Sequence, residues 1–171
     1  MSDLVDWAYI EQGKLRLEQG YFEICTLVRS ITDNYSAKTE EKGVELKVTH
    51  CDDVMVLADE KRIRQVLYNL LDNALRHTSS DGKIEVEVNK ESGGMVKVSV
   101  KDTGEGINPK DAPNLFKSFY QAEGNTKGKL GLGLAISQDI ILNHGGKIYA
   151  DSEGQDKGAT FSFTIEEAKE E

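Results

Sequence analysis

The chain has 171 residues, 38% of them apolar and 30% charged, with a net charge of −9. That composition excludes wholesale disorder and predicts one core, so one domain with at most a small appendage. A membrane span needs about 18 consecutive apolar residues, and the longest run here, Val54 to Ala58, stops at Asp59. No membrane contact is expected. The acidic balance, without blocks of Lys or Arg, argues against a nucleic-acid surface, so any phosphate bound should be small and locally cradled. The start, Met1 to Asp6, lacks the basic region and apolar stretch of a secretory signal, although a piece of a larger protein would lose such segments. Two cysteines, Cys25 and Cys51, are too few for a disulfide framework and lack metal-ligand spacing. Buried or idle thiols in a reducing, cytoplasmic compartment are expected.

In chain order, Leu4, Val5, Trp7, Ala8 and Ile10 form a short amphipathic helical pattern that breaks at Gly13. Nine residues are too few for a stable isolated helix; it either packs on the body or continues something that precedes it. Ile24, Leu27, Val28, Ile31 and Tyr35 predict a helix from about Phe22 to Lys42, ended by Gly43. The period then changes to two, giving a strand with Val44, Leu46 and Val48 and a second at Met55 to Ala58. Asp59 can cap a helix from Glu60 to His77, whose core face is Ile63, Val66, Leu67, Leu70, Leu71 and Ala74. A hairpin of central strands follows, with Ile84, Val86 and Val88 on one arm and Val96, Val98 and Val100 on the other, turned at Ser92-Gly93-Gly94. A Gly-rich turn at 102–106, a short helix at Asp111 to Phe119 and a polar loop to Lys129 come next. The remaining elements are a helix from Leu132 to Asn143 ending at Gly145, strands at Lys147 to Asp151 and Thr160 to Ile165, and an acidic tail from Glu166 expected to fray. Strand pairs separated by helices imply an α+β fold, a two-layer sandwich with a mixed, mainly antiparallel sheet against helices.

Opposite the predicted core stripe, Gln65, Asn69 and Asn73 recur at i+4 steps, with Arg76 and His77 one turn on. Asn is a poor helix former, so this row reads equally as a ligand-bearing face or a solvated one. In Asp102-Thr103-Gly104-Glu105-Gly106 two glycines let backbone approach a ligand and a carboxylate can accept from an amino group; an ordinary turn fits nearly as well. Gly128 to Leu134 runs from a loop into a helix, where free N–H groups and the positive dipole end can hold phosphate. It matches neither G-x-G-x-x-G nor G-K-[ST].

Together, Gln65 to His77 resembles the N box of sensor histidine kinases, Asp102 to Gly106 their first glycine box and Phe116-Lys117-Ser118-Phe119-Tyr120 their F box. Gly131 to Ile136 is similar to the second glycine box, and Gly158-Ala159-Thr160-Phe161 to the strand that closes the nucleotide pocket. The resemblance implies residues 15–166 form the catalytic, ATP-binding domain of a two-component histidine kinase, in the Bergerat fold shared with gyrase, Hsp90 and MutL ATPases. Residues 1–14 would then end a dimerisation helix, and 167–171 form the acidic tail. By that resemblance Asp102 would accept the adenine amino group with support from Thr160, while Gly104, Gly106 and Ile107 line the base. Asn73 and Asn69 would hold Mg²⁺ through amide oxygens, Arg76 would pair with phosphate, and His77 would border the nucleotide. Gly131, Leu132, Gly133 and Leu134 would cradle phosphate, and Tyr120 to Leu130 would form an ATP lid.

Two departures stand out. Lys129 replaces the leading glycine of the second glycine box, which could stiffen the start of the lid or place an ammonium near the γ-phosphate. No histidine resembles a phosphoacceptor, since His50, His77 and His144 precede Cys, Thr and Gly. The implied function is donation of the ATP γ-phosphoryl to a histidine on the protein's own dimerisation domain, and indirectly to a response regulator. The residue that performs catalysis is not identified. The alternatives are a clamp ATPase, for which Asn69 stands where a water-activating Glu is needed, an anti-sigma serine kinase, and a nucleotide-binding module without catalysis.

Overall fold

The computed structural model describes residues 3–13, 15–120 and 132–169. Helix α1 (Asp3–Glu11) leads into a small antiparallel ladder between β1 (Gly20–Glu23) and β3 (Met55–Ala58). Between them lie α2 (Ile24–Lys42) and β2 (Glu45–Cys51). Helix α3 (Glu60–His77), the hairpin β4 (Lys83–Glu91) and β5 (Met95–Asp102), helix α4 (Gly133–Asn143), β6 (Ile148–Asp151) and β7 (Ala159–Glu166) complete the fold. The main sheet runs β2-β4-β5-β7-β6, with β2 parallel to β4 and the other pairs antiparallel. This is the expected α+β sandwich with a mixed, mainly antiparallel sheet.

One face of each central strand is apolar, as the alternation requires. Ile84, Val86, Val88, Val96, Val98, Val100, Phe161, Phe163 and Ile165 are buried and share a cluster with the apolar stripes of α2, α3 and α4. Helix α3 starts as predicted, with the Asp59 carboxylate accepting from the Arg62 N–H at 3.2 Å and from the Glu18 N–H at 2.9 Å. The Asp59 N–H in turn donates to His144 Nε2 at 2.9 Å, while His144 Nδ1 meets the Ile140 carbonyl at 2.8 Å. A carbonyl only accepts, so the proton sits on Nδ1 and the ring is a neutral bridge between the end of α4 and the start of α3.

Four expectations need correction. Phe22 belongs to β1, because Glu23 caps α2 by accepting from the Cys25 and Thr26 N–H groups at 2.9 and 2.8 Å. The helix expected at Asp111 to Phe119 is only a 3₁₀ turn at Ala112–Asn114 within successive tight turns; Pro113 offers no N–H and Phe119 has φ 64°. Cys25 and Cys51 are not thiols but a disulfide, with Cα atoms 6.0 Å apart, joining the start of α2 to the end of β2. The tail does not fray at Glu166: that residue ends β7, the Glu167 N–H donates to the Gly94 carbonyl and the Ala168 N–H to the Met55 carbonyl, both at 2.9 Å.

Helix α1 packs on the body. Buried Asp6 accepts from Gln65 Nε2 at 2.8 Å and pairs with Arg62 at 3.4 Å. The Trp7 ring meets Phe119 edge-on at 5.0 Å, and its N–H donates to Ser118 Oγ at 3.2 Å.

Candidate functional site

The C-terminal half of α3, the turn after β5, the loop before β7 and the start of α4 converge at one end of the sheet. Backbone contacts make the convergence close. The Glu105 N–H donates to the His77 carbonyl at 3.2 Å, and the Gly158 N–H to the Gly104 carbonyl at 3.1 Å. At Gly104 a Cβ would stand 2.2 Å from the His77 carbonyl oxygen, and at Gly106, with φ +73°, 2.1 Å from that of Gly154. Only glycine fits at either place. The Ile107 N–H donates to Ser152 Oγ at 3.1 Å, which pins the segment beyond the turn to the loop after β6.

Asp102 ends β5 with its carboxylate buried. Its Oδ1 accepts from the Gly104 N–H at 2.9 Å and from the Ala159 N–H at 3.3 Å, while Oδ2 accepts from no described residue. Burial pushes the Asp102 carboxyl above the usual aspartate value, against the lowering by those two amides. Thr160 does not join it: across the β5–β7 ladder Asp102 faces Ala159, whereas Thr160 faces Lys101. Alternation therefore puts the Thr160 side chain on the opposite sheet face, and the Ala159 amide takes the supporting role expected of Thr160.

The polar row of α3 is not opposite the core; it lies at the seam with α1 and α4. Gln65 bonds to Asp6, and Asn69 Nδ2 donates to the Gly133 carbonyl at 3.2 Å and to Ser137 Oγ at 3.1 Å. A carbonyl can only accept, so it fixes Nδ2 as the donor to α4 and leaves Oδ1 without a hydrogen bond to a described residue. Asn73 is buried, at 8% exposure, and its amide has no hydrogen bond to any described residue. Among the described residues no fully buried side-chain polar atom lacks a partner, so the Asn73 amide keeps contact with solvent, where a ligand can reach it. His77 Nδ1 contacts Glu105 Oε1. Arg76 is half-buried, close enough to the Tyr35 hydroxyl for its charge to act there.

Tyr120 donates to Asp111 Oδ1, and that bond is the chief reason its hydroxyl is pushed above the ordinary range. Leu132 is buried and precedes α4, while Gly133 and Leu134 form the first turn, whose N–H groups have no partner within the helix. Lys129, Gly131 and the expected lid beyond Tyr120 lie outside the described residues.

Sequence reasoning missed Ala159, Ser137 and Ser152 as members of the site, because each acts through a contact distant in the chain. The acidic residue before Asn73 is a further case. Asp72 accepts from the buried Tyr35 hydroxyl at 2.5 Å. Burial and this bond push that hydroxyl well above its ordinary range, so it remains a donor. The pairing of a Tyr and an Asp on two amphipathic helices was the available signal.

Residues 58–169 match the family described as Histidine kinase-, DNA gyrase B-, and HSP90-like ATPase. The chain is 35% identical over 161 residues to the Autoinducer 2 sensor kinase/phosphatase LuxQ of Vibrio cholerae, covering 90% of this chain and 19% of that protein. It thus spans about a fifth of the length of this curated relative. Among solved structures, full-length ShkA in complex with AMPPNP is similar at TM-score 0.88 and 31% identity, over 98% of this chain and 35% of that one. Histidine kinase ThkA in complex with response regulator protein TrrA is similar at TM-score 0.78 and 28% identity, over 96% and 47%. Among the described residues no helix is long and apolar enough to cross a membrane. The chain belongs to the histidine kinase-, DNA gyrase B- and HSP90-like ATPases, and it is an ATP-binding catalytic domain of the histidine kinase type.

Proposed function

We propose that this domain binds MgATP at the convergence of α3, the 102–106 turn and α4, and donates the γ-phosphoryl to a histidine on a separate dimerisation domain, in a two-component pathway. The observation that carries the reading is the Asp102 carboxylate. Two backbone amides hold Oδ1 and leave Oδ2 for the exocyclic amino group of adenine. Guanine presents a carbonyl at that place, so two acceptors would face each other. Gly104, Gly106 and Ile107 line the base, and the first-turn N–H groups of α4 face phosphate with the helix dipole behind them.

The residues present fit a magnesium ion. Asn73 offers a solvent-reaching amide with no hydrogen bond to a described residue, and Asn69 an amide whose nitrogen is held by α4. Both are the oxygen donors a hard cation takes. When bound, the cation neutralises charge on the phosphates. His77 and Arg76, on the last turn of α3, add hydrogen bonding and positive charge beside it. In the transfer the acceptor imidazole nitrogen bonds to the γ-phosphorus, the bond from that phosphorus to the bridging oxygen breaks, and ADP leaves with the electron pair. The domain's part is positioning and charge stabilisation; the nucleophile comes from the partner. Asn69, which cannot take a proton, supports donation over hydrolysis, and the lack of a histidine followed by an acidic residue means the acceptor is on another domain. A response regulator, such as the one bound by ThkA, would receive the phosphoryl in a later step.

The test is titration calorimetry with ATP and GTP, then incubation with γ-labelled ATP with and without an acceptor-histidine domain. A charged hydrogen bond contributes about 1.5–3 kcal/mol, so Asp102→Ala should weaken ATP at least about tenfold, and GTP should bind poorly to both. Label should appear on the acceptor domain and rise with its concentration, with none on this chain alone. Label on the isolated chain, or free phosphate at the level of a clamp ATPase, would overturn the proposal.

A further inference from the structure

Helix α2 touches no part of the expected nucleotide, yet it grips α3 at the turn that carries Asn73. Tyr35 is buried, and its hydroxyl donates to Asp72 Oδ1 at 2.5 Å. Its ring is held in place by Tyr68 at 6.1 Å and by the Lys38 ammonium at 5.5 Å. About two turns further along α2, Lys42 Nζ donates to the Leu75 carbonyl at 2.5 Å and approaches that of Arg76 at 3.4 Å. One hold is on a side chain and one on backbone carbonyls, so together they set both the rotation and the axial position of residues 72–76.

We propose that Tyr35 is a positioning residue for the cation site: through Asp72 it fixes the rotation of α3 that aims the neighbouring Asn73 amide. This rests on the reading of Asn73 as a cation ligand. The physical reason is leverage. A side-chain atom about 5–6 Å from a helix axis moves about 1 Å for a rotation of about 10°. Magnesium demands near-octahedral oxygen ligands at about 2.0–2.1 Å, so such a shift removes a ligand. Asn73 has no hydrogen bond to a described residue that would hold its amide instead, and its aim therefore depends on the helix that carries it.

The experiment measures ATP affinity by calorimetry in magnesium and in EDTA, and takes the ratio as the magnesium-dependent gain. Tyr35→Phe keeps the ring contacts and removes only the hydroxyl. Groups that orient metal ligands commonly affect metal affinity by about 10–100-fold. Tyr35 acts one step further out, so the gain should fall about tenfold while affinity in EDTA stays at the wild-type value. Asp72→Ala should do the same, Asp72→Asn, which keeps an acceptor oxygen, should retain most of the gain, and the Tyr35→Phe/Asp72→Ala double variant should be no worse than either. Asn73→Ala runs in parallel and should abolish the gain. If Tyr35→Phe does not fold by circular dichroism, the two Asp72 variants decide the matter. A lowered melting temperature with an undiminished gain, while Asn73→Ala loses it, would make the bond merely structural and overturn the inference alone. No gain in the wild type, or a full gain in Asn73→Ala, would overturn the cation site and this inference with it.

Discussion

At the scale of single residues, Asp102 pits stability against binding. Its carboxylate is buried, which raises its pKa, yet its charge is what would attract an amino group. A carboxyl with a raised folded-state pKa binds its proton more tightly folded than unfolded. Its contribution therefore makes stability fall as pH rises from the ordinary aspartate value through the folded one. Asp102→Asn keeps an oxygen for the Gly104 and Ala159 amides and removes the titration. Urea denaturation across acidic to neutral pH should find the variant at least as stable as wild type at neutral pH, and without this part of the pH slope. ATP affinity should nevertheless drop at least about tenfold. The DxGxG pattern was legible as a place where backbone and a carboxylate meet a ligand. That the partner amide is Ala159 and not a Thr160 hydroxyl was not, because strand register decides which neighbour shares a face, and one position reverses the answer.

At the scale of elements, α1 shows how a short helix is held by its contacts. A nine-residue helix is unstable alone, and here Asp6, Trp7 and Ile10 supply what helix propensity lacks. Opposing them, the Glu11 charge lies near enough to Asp139 to help raise its pKa, after burial. Phe119 adopts φ 64° opposite the Trp7 ring; for a bulky side chain that costs on the order of 1–3 kcal/mol, and the ring contact offsets part of it. Removing the buried Asp6 carboxylate leaves Gln65 and Arg62 short of a partner, at about 2 kcal/mol. Asp6→Ala should therefore speed amide exchange in α1 by roughly 30-fold, while β4 and β5 keep their protection. Equal exchange in both proteins would show that the apolar contacts alone hold the helix. The periodicity of α1 was visible in the chain; its docking partner was not, because Arg62 and Gln65 lie more than fifty residues away.

At the scale of the whole molecule, the disulfide ties two ends of the fold that its sequence gives no reason to pair. Cys25 and Cys51 are 26 residues apart, and closing a loop of that length restricts the unfolded chain by about 3–4 kcal/mol in the chain-entropy account. Urea denaturation with and without reductant should differ by that amount, and a Cys25→Ser/Cys51→Ser variant should match the reduced protein and ignore reductant. The bridge joins the start of α2 to the end of β2, ten residues from Tyr35 and far along α2 from its contacts with α3, so ATP affinity should be unchanged. A stability independent of reductant would mean that the pair is open in solution.

The chain by itself determined most of the elements and the two-layer architecture, though not β1 or the turns at 111–119. Apolar residues at periods of 3.6 and 2 can bury their faces only as helices and strands, so α3 from Glu60 to His77 and the β3 strand from Met55 to Ala58 have the predicted ends. It also determined the chemistry available, since amides, a carboxylate at a strand end and glycines were placed by local pattern. The tertiary structure decided the rest. It paired β1 with β3 rather than adding either to the main sheet, turned Thr160 away from Asp102, and joined the two cysteines. It also set Tyr35 against Asp72. Each of these depends on which distant surfaces meet, and surface complementarity between remote segments leaves no local period to detect.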